Sequence, residues 1–159
     1  MMNFVKYKWA GLILLAALIV VTSAFAAEPL ETAEPTDEDS IRQAVMDYVN
    51  AVYQVKPELV DKSVHDKLQK VGFVPEKDGD GYREMWMTKD ELRELAVHWN
   101  QDGSLDSATA KAEVKILDRL DQIAVVRLDA EWGVDFIQLA KIKGTWVIIN
   151  VMWQTYPKE

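Results

Sequence analysis

The sequence predicts an α+β domain, with three helices gathered on one face of a strongly curved antiparallel sheet. Three observations predict it. Apolar residues recur at helical spacing in the first part of the chain, at Ile41, Val45, Tyr48, Val49 and Val52 and again at Leu92, Leu95, Ala96 and Trp99. From Lys111 onward the period changes to two, the mark of a strand with one buried and one wet face. After Lys143-Gly144 both parities turn apolar, with Val147, Ile149, Val151 and Trp153 against Trp146, Ile148 and Met152. A strand of that kind requires cover on both sides, by helices on one and a partner subunit on the other. Helices first and a meander last make an α+β order.

The chain of 159 residues has room for one such domain and a real core. Its N-terminus reads differently. Lys6 and Lys8 precede an apolar run from Trp9 to Val21, and Ala24-Phe25-Ala26 then leads into Ala27-Glu28-Pro29. That is the layout of a secretory signal peptide over residues 1–26, cut after Ala26. The run of about thirteen apolar residues falls short of the roughly twenty that a spanning helix needs, so no stable membrane anchor is expected after cleavage. The protein is expected outside the cytoplasm, periplasmic or extracellular. It contains no cysteine, which excludes lipoprotein attachment, disulfides and thiol chemistry. Without Lys6 and Lys8, 16 basic and 26 acidic residues remain, a net charge of −10. Such a balance argues against nucleic acid and against anionic membranes as partners.

Residues 27–36 (AEPLETAEPT) read as a flexible tether, leaving a domain over 37–157. Thr36 or Asp37 caps the first helix, whose first turn carries Asp37, Glu38 and Asp39 at the positive end of the helix dipole. Pro57 ends it and opens a second, shorter helix carrying Leu59, Val60, Val64 and Leu68, which Gly72 stops. Phe73 to Met87 reads as a hairpin turning at Asp78-Gly79-Asp80-Gly81. Thr88 and Glu91 form a capping box for the third helix, which closes in the breaker cluster Asn100-Gln101-Asp102-Gly103. Three long antiparallel strands are expected to follow. Ala112, Val114 and Ile116 face inward on one. Along the next, Ala124, Val126, Leu128, Ala130, Trp132 and Val134 share the dry parity, while Arg127, Asp129, Glu131 and Asp135 share the wet one.

This order of elements resembles the nuclear transport factor 2-like superfamily. Four stretches are similar to its branch called putative lumazine-binding proteins: SVHDKLQKVGF (Ser63 to Phe73), MTKDELRELAVHWNQDG (Met87 to Gly103), VKILDRLDQIA (Val114 to Ala124) and EWGVDFIQLAKIKGTWVIINVMWQTYP (Glu131 to Pro157). The resemblance covers about residues 37 to 157 and implies a cone of three helices wrapped by a bent sheet around a central pocket. It does not imply one activity, because this fold hosts isomerases, dehydratases, cyclases and plain binding modules.

The candidate chemistry is sparse. His65 and His98 are the residues that titrate near neutrality without help. His65 is placed at the mouth of the implied cone, either as a proton-transfer or ligand-binding group or as a partly buried polar residue; His98 reads as a surface partner of Glu94. The enzymes of the superfamily use a cavity Asp or an Asp–His pair with a Tyr or second acid at an oxyanion. The matching pieces here are Tyr48, Tyr53, Asp61, His65 and Asp135, of which His65, Asp61 and Tyr48 are the catalytic candidates. Asp135 falls on the wet parity, and Tyr48 on the core stripe. Asp78, Asp80 and Gly81 touch an EF-hand pattern, but Glu76 opens it and Met87 stands where a bidentate Glu belongs, so a turn is expected and no metal. No cofactor is indicated. Trp86, Trp99, Trp132, Trp146 and Trp153 fill the core or line a pocket for a flat or apolar molecule. Asn150 interrupts an apolar strand, so its amide either braces a loop or enters the cavity. The expected pocket set is therefore Tyr48, Val52, His65, Trp99, Trp132, Asn150 and Trp153. The expectation is a non-catalytic, homodimeric protein that takes a small hydrophobic or aromatic molecule; an isomerase or dehydratase, or a protein-interaction domain, stand as alternatives.

Overall fold

Nine elements follow one another in the computed structural model, which describes residues 34–77 and 81–157. The expected signal peptide, most of the expected tether, the expected turn at 78–80 and residues 158–159 lie outside the described residues. Helix α1 (Asp37–Tyr53) and helix α3 (Lys89–His98) both begin with reciprocal capping boxes. In α1 the Thr36 hydroxyl accepts from the Asp39 amide at 3.2 Å, and the Asp39 carboxylate accepts from the Thr36 amide at 3.1 Å. In α3 the same exchange joins Thr88 and Glu91. Each box satisfies amides that the first helical turn leaves without partners. The stripe Ile41, Val45, Tyr48, Val49 and Val52 is buried along α1, and Leu92 and Ala96 are buried on α3.

Helix α2 is shorter than the sequence predicts. It spans Glu58–Ser63, and β1 (Val64–Pro75) starts at once. The reason lies in the spacing: Val60, Val64 and Leu68 are four apart, and four is even, so the pattern fits a strand's alternation as well as a helix's turn. Backbone pairing on both sides decides it. Strand β1 runs antiparallel to β2 (Tyr82–Met87), from Lys70 opposite Met87 to Pro75 opposite Tyr82. Its other edge runs parallel to β6 (Thr145–Gln154). His65 therefore sits on a strand.

The remaining sheet holds four strands where three were expected: β3 (Ala112–Arg119), β4 (Ile123–Ala130), β5 (Gly133–Ile142) and β6. Glu131-Trp132 is a tight turn, with Ala130 opposite Gly133, so the long alternating stretch is a hairpin. Gly133 is required there: its φ is +139°, and a Cβ would lie 2.0 Å from the Gln154 carbonyl oxygen. Reversal resets the parity. Leu128 and Asp135 are cross-strand partners on one face, and both are fully buried. The expected wet position of Asp135 is thus overturned, and Val134 leaves the dry set. Lys143-Gly144 closes the β5–β6 hairpin with φ of +51° and +85°, the left-handed pair that a two-residue turn demands.

The sheet order is β2-β1-β6-β5-β4-β3, six strands with one parallel pair, so the sheet is mixed rather than antiparallel throughout, and it is open. A bulge at Ile149 separates Leu139 opposite Ile148 from Gln138 opposite Asn150. It switches the inward parity of β6 from Trp146 and Ile148 to Val151 and Trp153. That switch gives β6 much of its two-sided apolar pattern. The core lies between the inner sheet face and the helices, with Ile41, Val45, Val49, Leu92, Leu128, Ile137 and Ile148 each at 0% exposure. Among the described residues no helix is long and apolar enough to cross a membrane.

Candidate functional site

A cavity of 260 Å³ opens between α3, the C-terminal half of α1 and the inner face of the β1–β2 and β6 end of the sheet. Each element supplies its wall by simple periodicity. From α1 come Tyr48 and Val52, one turn apart, and from α3 Leu92, Leu95 and Trp99, at spacings of three and four. Strand alternation places Lys70 and Val74 of β1 and Met85 and Met87 of β2 on the same face. Trp132 enters from the β4–β5 turn and Trp153 from β6. Trp153 stands opposite Gly72 in the β1–β6 pairing. A Cβ on Gly72 would fall 1.9 Å from the indole, so glycine is what lets the ring lie across the strand.

The aromatic wall is mutually braced. Tyr53 stacks on Trp99 with centroids 5.6 Å apart, and Trp132 meets Tyr48, Tyr53 and Trp99 edge-on at 5.9, 5.3 and 6.0 Å. Such contacts add about 0.5–1.5 kcal/mol each beyond the area they bury. The Tyr53 hydroxyl donates to the Lys111 carbonyl and accepts the Glu131 amide, both at 2.8 Å. Burial pushes its pKa up to about 12, opposed by the bond from the Glu131 amide. Tyr53 thus fixes the turn that carries Trp132. Asn100 holds the end of α3 by donating to the Tyr53 and Leu105 carbonyls and accepting the Leu105 amide.

One polar cluster interrupts this apolar wall. The Asp135 carboxylate accepts the Tyr48 hydroxyl at 2.8 Å on one oxygen and the Trp132 indole N–H at 2.7 Å on the other. The Lys70 ammonium donates to the Tyr48 oxygen at 2.7 Å and stands 3.8 Å from Asp135. The same nitrogen lies over the Tyr48 and Trp153 rings, at 5.3 and 5.1 Å. Lys70 and Asp135 side chains are 4% and 0% exposed. Burial pulls the Lys70 pKa down to about 8, and the Asp135 charge recovers only part of the loss. Burial, followed by the Asp135 charge, raises the Tyr48 hydroxyl well above its ordinary value, so it remains a proton donor.

The structure brings Tyr48, Val52, Trp99, Trp132 and Trp153 together around the cavity. It does not bring His65 or Asn150 there. His65 sits at the start of β1, where its Nδ1 accepts the Lys67 amide at 3.1 Å. The Asn150 amide donates to Gln138, its cross-strand partner, because the Ile149 bulge turns it to the outer face. Asp61 pairs with Arg93 on the surface at 3.1 Å. The catalytic candidates His65, Asp61 and Tyr48 therefore do not meet; Tyr48 meets Lys70 and Asp135 instead. Lys70 escaped sequence reasoning, though the alternation Leu68, Lys70, Gly72, Val74 was there to be read as one strand face.

Comparison with known proteins follows the same lines. The family model described as putative lumazine-binding matches residues 36–154. The fold is similar to an NTF2-like protein of unknown function from Methylobacillus flagellatus KT, with TM-score 0.59, 21% identity, and 79% of this chain and 97% of that one covered. It is similar to an NTF2-like protein of unknown function from Shewanella baltica OS155, with TM-score 0.59, 17% identity and coverage of 75% and 93%. A ketosteroid isomerase-like protein from Erwinia carotovora atroseptica aligns with TM-score 0.51, 17% identity and coverage of 75% and 95%. At these identities the likeness is one of fold, the NTF2-like fold. No curated protein matches the chain in sequence.

Proposed function

The chain belongs to the putative lumazine-binding family, and on that premise we propose that it is an exported protein that binds a small, largely apolar or aromatic molecule without transforming it. One observation carries this reading: a 260 Å³ cavity walled by aliphatic and aromatic side chains, with a single charged residue, Lys70, among them. A dry cavity of about 150 Å³ is enough to hold benzene, so this one fits a substituted ring or a short branched chain. Ligands of that kind gain from leaving water, and a few placed polar groups orient them. Lumazine itself, a ring crowded with nitrogen and oxygen atoms, would leave most of its polar atoms facing hydrocarbon here, at a real desolvation cost. A less polar ligand with one acceptor toward Lys70 suits the wall better.

Acid–base turnover has less support. Asp135 is not among the residues that line the cavity; its oxygens turn to the Tyr48 hydroxyl and the Trp132 N–H, and a general base must come within reach of the substrate proton. Export rests on the signal-peptide layout of residues 1–26. A homodimer is supported by the outer sheet face, where Phe136, Met152 and Trp86 are 46%, 50% and 67% exposed. Sedimentation that gives only monomer at high concentration would count against the dimer.

Native mass spectrometry of protein purified gently from cells expressing the full chain tests the pocket. A discrete extra mass that is absent from the cavity-filling variant Met85→Trp supports it. In a titration with indole or benzyl alcohol followed by tryptophan fluorescence, Met85→Trp should weaken binding by about tenfold or more, at roughly 1.4 kcal/mol per tenfold. Equal binding by both proteins would end the pocket reading.

A further inference from the structure

We propose that Lys70 holds its ligand covalently, as an imine, so that the cavity selects small apolar aldehydes or ketones. The inference rests on the pocket reading above and adds the chemistry of the captured group.

Three features of the geometry point to it. Lys70 is the charged residue on an otherwise apolar wall, and its side chain is 4% exposed. Among the described residues its nitrogen makes one hydrogen bond, to the Tyr48 oxygen at 2.7 Å, while Asp135 at 3.8 Å is beyond hydrogen-bonding distance. The amine therefore keeps bonding capacity that no neighbouring protein atom takes up. The third feature is the Tyr48 hydroxyl. It accepts from Lys70 and donates to Asp135, so a proton-carrying oxygen touches the amine and a carboxylate stabilises positive charge nearby.

These parts match what an imine needs. A desolvated lysine loses its proton easily and becomes a nucleophile, which is why buried amines serve in Schiff-base chemistry. With a pKa of about 8, the neutral fraction at pH 7 exceeds that of a surface lysine by roughly two orders of magnitude. In the neutral state one N–H still donates to Tyr48, and the lone pair is available to the cavity. The nitrogen attacks the carbonyl carbon, and the carbonyl π pair moves to oxygen. A proton passes from nitrogen to that oxygen through Tyr48, giving a carbinolamine. The C–O bond then breaks, the oxygen leaves as water, and the nitrogen gives up its last proton. The balance is amine plus carbonyl to imine plus water, with no oxidant or reductant. Taking one proton back from solvent, the imine nitrogen restores beside Asp135 the positive charge that the ammonium carried. A surface lysine has no such apolar enclosure, and water returns its imines to amine and carbonyl.

The test uses protein from cells expressing the full chain, with benzaldehyde as probe, sodium cyanoborohydride to trap the imine, and peptide mass mapping. The expected result is one benzyl group on Lys70, added at least about tenfold faster than on any other lysine. Its rate should rise with a midpoint near pH 8, and Lys70→Arg should lose it. Benzyl alcohol, of the same size and without a carbonyl, separates the two levels of the argument. If benzyl alcohol binds in the cavity but benzaldehyde labels exposed lysines as fast as Lys70, the covalent inference is overturned and the pocket stands. If neither probe binds, both fall. Mapping the wild-type protein decides the matter even where Lys70→Arg does not fold.

Discussion

Two aspartates in this chain each gather a tryptophan N–H and a lysine, at opposite ends of α1 and with opposite consequences. At the start of α1, Asp37 accepts Lys141 at 2.7 Å and the Trp146 indole at 3.0 Å on the same oxygen. Both charged side chains there are more than a quarter exposed, at 28% and 29%. Toward the other end, Asp135 accepts Trp132, but its second oxygen goes to Tyr48, and the lysine is held behind the phenol. The exposed set is a direct ion pair whose contacts lower the Asp37 carboxyl pKa, first through the bond from Lys141 and then through that from Trp146. In the buried set the cost falls on the lysine, whose pKa drops. Water makes the difference. Where it reaches, both charges stay solvated and the pair fastens a helix to a hairpin; where it is excluded, the charge becomes labile and the amine gains chemistry.

Removing the buried acid should show this most strongly. Asp135→Ala leaves the Tyr48 hydroxyl and the Trp132 N–H without their acceptor and Lys70 without its counter-charge. Loss of one member of a buried pair costs about 3–5 kcal/mol. Urea denaturation at pH 7 should read a loss of that order, with the Lys70 ammonium forced still further toward neutrality. A loss under about 1 kcal/mol, the scale of an exposed pair, would erase the contrast between the two sites.

A pH series gives the next largest effect. Lys70 holds its proton less tightly when folded, with a pKa of about 8 against the ordinary 10.5. Between those values the unfolded chain binds the proton and the folded one does not, so stability rises with pH. From pH 8 to about 10 the gain should reach roughly 2 kcal/mol. Above that, Tyr48 acts in the opposite direction, because burial and Asp135 keep its hydroxyl protonated in the fold while the unfolded phenol ionises. Lys70→Met should flatten the rise. Flat stability in the wild type would mean that the amine is solvated.

The comparison also marks what the sequence made legible. The α1 cap, the α3 capping box, the α1 and α3 stripes and the hairpin over Phe73 to Met87 depend on residues close in the chain, and each could be read from spacing. The aromatic part of the cavity followed, since Tyr48, Val52 and Trp99 ride those stripes. The polar part did not. Lys70 was hidden because Val60, Val64 and Leu68 fit either period, and only pairing with β2 and β6 selects the strand. Asp135 was hidden by a turn at Glu131-Trp132 that has no Asn-Gly or Asp-Gly to announce it, with Gly133 lying just past it. Asn150 was misdirected by a single bulged residue, Ile149. Each of these is a parity set by non-local pairing, and a shift of one residue sends a side chain to the other face.

Asp37→Asn completes the contrast with the smallest effect. The substitution keeps an acceptor for the Trp146 indole and for Lys141 but removes the negative charge at the helix N-terminus, where the dipole favours it. Because the folded carboxyl has a lowered pKa, its contribution is present at neutral pH and is lost as pH falls through that value. The urea midpoint should move slightly down at neutral pH, and the shift should vanish in acid. Salt sharpens the point. Raising it from about 0.1 M to about 1 M shortens the screening length from about 10 Å to about 3 Å, which should shrink the Asp37→Asn shift while leaving that of Asp135→Ala in place. If both shifts shrank alike, Asp135 would be wet, and the cavity beside it would hold water in place of an apolar guest.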